Sequence, residues 1–164
     1  MAKKIETKLP RGIRNNNPLN IVYNPANRWH GQLPLNKIIE PRFCRFSGKM
    51  WGFRAAACIL RKYINGYKLD TIRLICAKWA PCNENDTDAY TDTVAKSVGI
   101  KADTKIEFKN QMVMLRLMSA MCVVENGTAF DPQQDFDLWD DMYRGYVMAR
   151  ENITDFESIK DYEG

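Results

Sequence analysis

The stretch from Asn110 to Glu125 constrains this chain more than any other. Met112, Val113, Leu115, Leu117, Met118, Met121, Cys122 and Val124 occupy most of the circumference of a helix. A helix that is apolar nearly all round needs other elements to enclose it, so the rest of the chain has to supply amphipathic partners. Helical periodicity supplies four. The first places Trp51, Ala55, Cys58, Ile59 and Tyr63 on one face, with Gly66 positioned to stop it in a left-handed cap. The second spans about Thr71 to Ala80, with Ile72, Ile75, Cys76 and Trp79 inward and Pro81 ending it. The third follows the cap-rich NENDTD, carries Tyr90, Val94 and Val98, and stops at Gly99. The last runs from about Asp135 to Arg150, with Phe136, Trp139, Tyr143 and Val147 on one face.

Residues 15–48 read differently. They are dense in Asn, Pro and Gly, with short apolar segments at Ile21 to Tyr23, Ile38 to Ile39 and Phe43 to Phe46. Such a stretch suits loops and a small irregular hairpin. The expected fold class is therefore α+β, mainly α, with a small irregular β lobe. The expected organisation is a basic arm over residues 1–14, a single domain over 15–150 and an acidic tail over 151–164.

Charge is distributed unevenly. Residues 1–80 carry a net +13 and residues 81–164 a net −9, within a total of +4. With 45% hydrophobic residues, global disorder is excluded. No apolar run is long enough to span a membrane, and MAKKIETKLPRG has no apolar stretch behind its basic residues. The expectation is a protein made in the cytoplasm without classical export. The five cysteines, Cys44, Cys58, Cys76, Cys82 and Cys122, form no C-x-x-C pair and are expected to be buried reduced thiols. A single histidine, His30, argues against Ser-His-Asp, Cys-His and poly-His zinc schemes. No metal site and no cofactor are expected, and carboxylates are left to carry any chemistry.

Glu125 is the first candidate. It ends the most hydrophobic helix, just before Asn126 and Gly127. Partial burial and the negative helix end both favour a protonated carboxyl, as a general acid for glycosidic cleavage requires. A solvated helix-end glutamate is the competing reading. Glu84 fits capping better than catalysis. Glu40 stands among Lys37, Arg42 and Arg45, where a structural salt bridge competes with a role as second carboxylate. Asn15, Asn16, Asn17 and Asn20 could bind sugar hydroxyl and acetamido groups, or simply form local turns. Tyr23, Trp29, Trp79 and Tyr90 could stack on sugar faces or fill the core. No Walker loop or dinucleotide fingerprint is present.

Three segments, RGIRNNNPLNIVY, EPRFCRFSGKMWGFRAAACIL and WAPCNENDTDAYTDTVAKSVGI, together with the later ENG, span residues 11–127. This set resembles a family of phage and prophage virion proteins with a lysozyme-like domain. It is also similar to bacterial glucosaminidases and lytic transglycosylases, in which a glutamate helix precedes the Asn-rich segment and a Y-x-x-x-V helix closes the cleft. Here the corresponding helix end appears late, as SAMCVVENG. The resemblance therefore implies a circularly permuted lysozyme-like fold, with Glu125 brought close to Asn17, Asn20 and Tyr90.

It further implies a peptidoglycan-cleaving glycosidase or lytic transglycosylase. Glu125 would be the general acid, with Asn17, Asn20, Tyr23, Trp79 and Tyr90 along the substrate groove. The resemblance names no second carboxylate, and Glu40 is the candidate from its position on the small lobe opposite Glu125. The implied partners are peptidoglycan glycan strands and other virion proteins, at the bacterial cell wall. The alternative is a non-catalytic virion structural or cell-wall-binding protein that keeps the scaffold. Nucleic-acid binding is not expected, because no recognition motif accompanies the basic half.

Overall fold

The computed structural model describes residues 8–80 and 84–155 and is mainly helical. Its helices are α1 (Arg11–Arg14), α2 (Lys49–Arg61), α3 (Ile72–Trp79), α4 (Glu84–Val98), α5 (Gln111–Asn126) and α6 (Phe136–Glu151). Side-chain caps set several starts. Thr71 accepts a hydrogen bond from the Leu74 N–H, Asn110 from that of Val113 and Asp135 from that of Leu138. α4 stops at Gly99 as expected, and Gly99 takes the left-handed region at φ +82°.

Leu117, Met118, Met121 and Cys122 of α5 have no exposed surface, and Phe53, Leu60, Ile75, Val94 and Met142 gather in the same core. The enclosure expected for this helix holds over its middle, whereas Met112 near its start is exposed. The most extensive helix pairing is between α2 and α6. It is close because Gly145 meets backbone: a Cβ there would lie 2.6 Å from the Arg54 nitrogen and 2.9 Å from the Met50 carbonyl oxygen. Two arginines of α2 then serve the carboxyl end of α6. Arg54 donates to the Ile153 carbonyl at 2.9 Å and Arg61 to that of Ala149, where cations also meet the negative helix end.

Several expectations are corrected. The inward side of α6 carries Leu138, Met142, Tyr146 and Val147, while Phe136 is 77% exposed. Seating Gly145 against α2 fixes the rotation of α6, leaving Trp139 and Tyr143 half-buried and stacked with centroids 5.0 Å apart. Gly66 is not a left-handed cap. The chain instead widens into a π-helical turn over Lys62–Gly66, and Lys68, at φ +59°, takes the left-handed position. NENDTD does not precede a helix, since α4 already begins at Glu84. Asn83 of that motif lies outside the described residues, as do Cys82 and Pro81, the expected stop of the second helix.

Residues 15–48 form a lobe of loops. Among the described residues it contains no regular strand, only isolated antiparallel bridges between Val22 and Phe43 and between Gln32 and Phe46. Asn and Pro interrupt each pass before a ladder can extend. Ile38 and Ile39 face solvent. Helix and burial reach into the stretch assigned to the basic arm: α1 buries Gly12 and Ile13. Residues 1–7, and 156–164 of the acidic tail, lie outside the described residues.

Candidate active site

The Asn-rich loop after α1 docks on the carboxyl end of α5. Asn126 in the last turn of that helix donates to the Pro18 carbonyl at 2.7 Å and to that of Cys122 at 2.9 Å. The two segments are joined across more than a hundred residues of sequence. Asn20 adopts φ +53°, a left-handed conformation that asparagine tolerates better than most residues. From there its Nδ2 donates to Oε2 of Glu125 at 2.7 Å.

The other carboxylate oxygen, Oε1, accepts from the Tyr90 hydroxyl of α4 at 3.2 Å. Glu125 is half-buried and Tyr90 nearly fully buried. Burial raises the Glu125 pKa, and the bonds from Asn20 and Tyr90 offset only part of that rise. Burial first, then the nearby Glu125 charge, pushes the Tyr90 phenol well up, so it stays a neutral donor. A carboxyl held by two neutral donors and biased toward its acid form can deliver a proton and take one back.

The four asparagines have separate duties. Asn17 has no exposed surface. Its Nδ2 donates to the carbonyls of Ile21 and Cys44 at 3.0 Å each, and its Oδ1 accepts from the Ile21 N–H at 2.9 Å. It braces the lobe and does not face a groove as expected from sequence. Asn15 donates to Oε1 of Glu40 at 3.0 Å. Asn16 donates to the Phe46 carbonyl and accepts from Lys49. Asn20 alone of the four reaches Glu125.

Glu40 also departs from its expected place. Its side chain is 3% exposed and accepts from the backbone N–H groups of Arg42 at 2.8 Å and Phe43 at 3.0 Å, besides Asn15. Arg11 lies 3.0 Å away. Burial pushes its pKa up, but the two backbone donors, Asn15 and Arg11 outweigh that and hold it below the usual carboxylate range. This carboxylate organises the lobe and shares no hydrogen-bond partner with Glu125.

Beside Asn20 opens a cleft of about 710 Å³ lined by Tyr23, Trp29, Tyr63, Tyr67 and Trp79, among others. Trp79 is fixed by its indole N–H, which donates to the Leu19 carbonyl at 3.0 Å, and by an edge-on contact with Tyr63 at 6.0 Å between centroids. Tyr23 and Trp79 thus share this wall with Asn20, whereas neither Tyr90 nor Glu125 lines the cleft, and Asn20 links it to Glu125. Sequence reading missed Lys62, Tyr63, Tyr67 and Lys78 as cleft residues. The K-Y-I-N-G-Y-K run read as a helix end, and a π-helical turn leaves no pattern in side-chain periodicity.

Among the described residues, no group of three or more His, Cys, Asp or Glu side chains could hold a metal ion. No helix among them is long and apolar enough to cross a membrane. The described thiols are free, with Cys44, Cys76 and Cys122 buried.

No protein-family model matches the chain. It is 41% identical over 120 residues to Protein P5 of Pseudoalteromonas phage PM2, a match covering 72% of each chain.

Proposed function

Since the chain belongs to the family of Protein P5 of Pseudoalteromonas phage PM2, we propose that it is a phage enzyme that cleaves the glycan strands of peptidoglycan, with a circularly permuted lysozyme-like arrangement and Glu125 as its general acid. The observation that carries the reading is the Glu125 carboxyl, half-buried, held by Asn20 and Tyr90, raised in pKa and linked through Asn20 to an aromatic cleft that Asn20 lines.

Glu125 protonates the bridging oxygen as the bond from that oxygen to the anomeric carbon breaks. Positive charge develops on the sugar ring, and the acid becomes a carboxylate. Asn20 and Tyr90 donate to that carboxylate, so they stabilise the charge that Glu125 acquires. Glu40 is occupied by four donors and is not part of the reacting set. The second half of the reaction is therefore assigned to a hydroxyl of the same sugar, which attacks the anomeric carbon and returns its proton to Glu125. The product is an anhydro sugar, and the enzyme is a lytic transglycosylase.

Digesting purified sacculi with the full chain and analysing the soluble fragments by mass spectrometry tests this. Anhydro ends are expected. Reducing ends would reassign the second step to water and the enzyme to the hydrolases. Binding to sacculi with no fragment released would favour the alternative, a virion structural or cell-wall-binding protein.

A further inference from the structure

The cleft beside Asn20 carries a charge that the proposed reaction does not use. Its only ionisable side chains besides tyrosine and cysteine are Lys62 and Lys78, and no carboxylate lines it among the described residues. Lys62 follows α2 in the π-helical turn, and Lys78 stands in the last turn of α3. Both converge on one ring: Lys62 Nζ lies 5.5 Å from the Tyr67 centroid and Lys78 Nζ 5.7 Å from it. Lys78 Nζ is also 5.7 Å from the Tyr63 ring. Neither ammonium has an acidic partner among the described residues.

Two cations held on aromatic faces, with no counter-charge in the same cleft, suit a ligand that combines apolar ring faces with a carboxylate. Local geometry supports the same reading. A π-helical turn is an uncommon departure that often accompanies function, and this one sets Lys62 and Tyr63 on the cleft wall.

We propose that this cleft reads the acidic substituent of the glycan, with Lys62 and Lys78 as specificity-determining residues that select carboxylate-bearing strands over neutral N-acetylglucosamine polymers. The inference rests on the glycan reading of the site and adds the chemistry of the part being recognised. That carboxylate has two sources, the lactyl group of muramic acid and the stem peptide attached to it.

The test measures binding by the full chain carrying Glu125→Gln, which blocks turnover. The probes are three glycans of equal length: a neutral N-acetylglucosamine tetramer, a tetramer with free lactyl carboxylates, and one bearing stem peptides. At low salt the acidic probes should bind on the order of tenfold tighter than the neutral one, and the ratio should shrink as salt is added. Adding Lys62→Gln and Lys78→Gln should bring the ratio near one, while Lys62→Arg with Lys78→Arg should keep it. A preference for the lactyl probe alone, or for the peptide probe alone, identifies the source.

Equal binding of neutral and acidic probes, or a ratio unmoved by the glutamine pair, overturns the inference and leaves glycan cleavage standing. If the glutamine pair does not fold, the salt dependence of the ratio in the unsubstituted cleft decides. No binding of any probe by the Glu125→Gln chain, together with no release from sacculi by the unsubstituted chain, overturns both proposals.

Discussion

Replacing Glu40 separates an architectural carboxylate from a catalytic one. Its Oε2 accepts from two backbone N–H groups, and its Oε1 from Asn15 with Arg11 beside it. Glutamine offers one carbonyl oxygen in place of two. If that oxygen keeps the backbone pair, the new NH2 faces Asn15, whose carboxamide can turn to present its oxygen, and Arg11, which is 46% exposed and can move into water. The loss is then mainly the weakening of charge-assisted bonds, about 2 kcal/mol. Glu40→Ala strands both backbone donors and should cost about 4 kcal/mol. For a domain of this size, about 2 kcal/mol corresponds to a fall in Tm of roughly 4–8 °C. Because the folded pKa lies below the usual 4.5, the stabilisation is present above that value and is lost as pH falls through the folded pKa. Urea melts of wild type and Glu40→Gln should therefore differ fully at neutral pH and converge in acid. A difference under about 0.5 kcal/mol together with lost activity would refute the reasoning and restore Glu40 to the reacting groups.

Tyr90→Phe removes a bond that lowers the Glu125 pKa. The acid should then keep its proton to higher pH, moving the basic limb of the kcat/KM profile upward; a downward move contradicts the assignment. In Gly145→Ala the new Cβ would sit 2.6 Å from the Arg54 nitrogen. Parting the two helices should cost about 1–3 kcal/mol, exceeding the gain of about 1 kcal/mol in helix propensity, and chemical denaturation should register a net loss. Burial pushes the thiols of Cys44 and Cys76 up to about 11 and that of Cys122 to about 12. These three should resist thiol reagents in the native protein and react after unfolding, and rapid native labelling would show that they are accessible.

Periodicity placed the bodies of α2, α3, α4, α5 and α6, but α1 fell in the stretch read as a basic arm and α4 begins inside NENDTD. An apolar run ending in E-N-G puts a carboxyl at the rim of a core. Periodicity did not reveal the rotation of α6, since the steric demand of Gly145 against α2 outweighed the aromatic stripe of Phe136, Trp139 and Tyr143. The asparagines look alike in the chain. Their duties diverge only when the left-handed turn at Asn20 meets a helix end far away in sequence, while Asn17 turns inward to the lobe backbone. Glu40 lay among basic neighbours in the sequence. Two of its donors are backbone N–H groups, which composition does not show, and Arg11 and Asn15 come from before the lobe's first bridge. The cleft depends on a π-helical turn that side-chain spacing does not encode.

The most direct measurement is glycan release from purified sacculi by Glu125→Gln beside the wild type, with circular dichroism of both. Glutamine keeps the shape of the side chain but cannot give up a proton to the bridging oxygen. The account predicts an intact helical spectrum and a fall in release of at least about 100-fold, within the span that general acids contribute. Release at the wild-type rate from the folded variant would contradict the account at its centre.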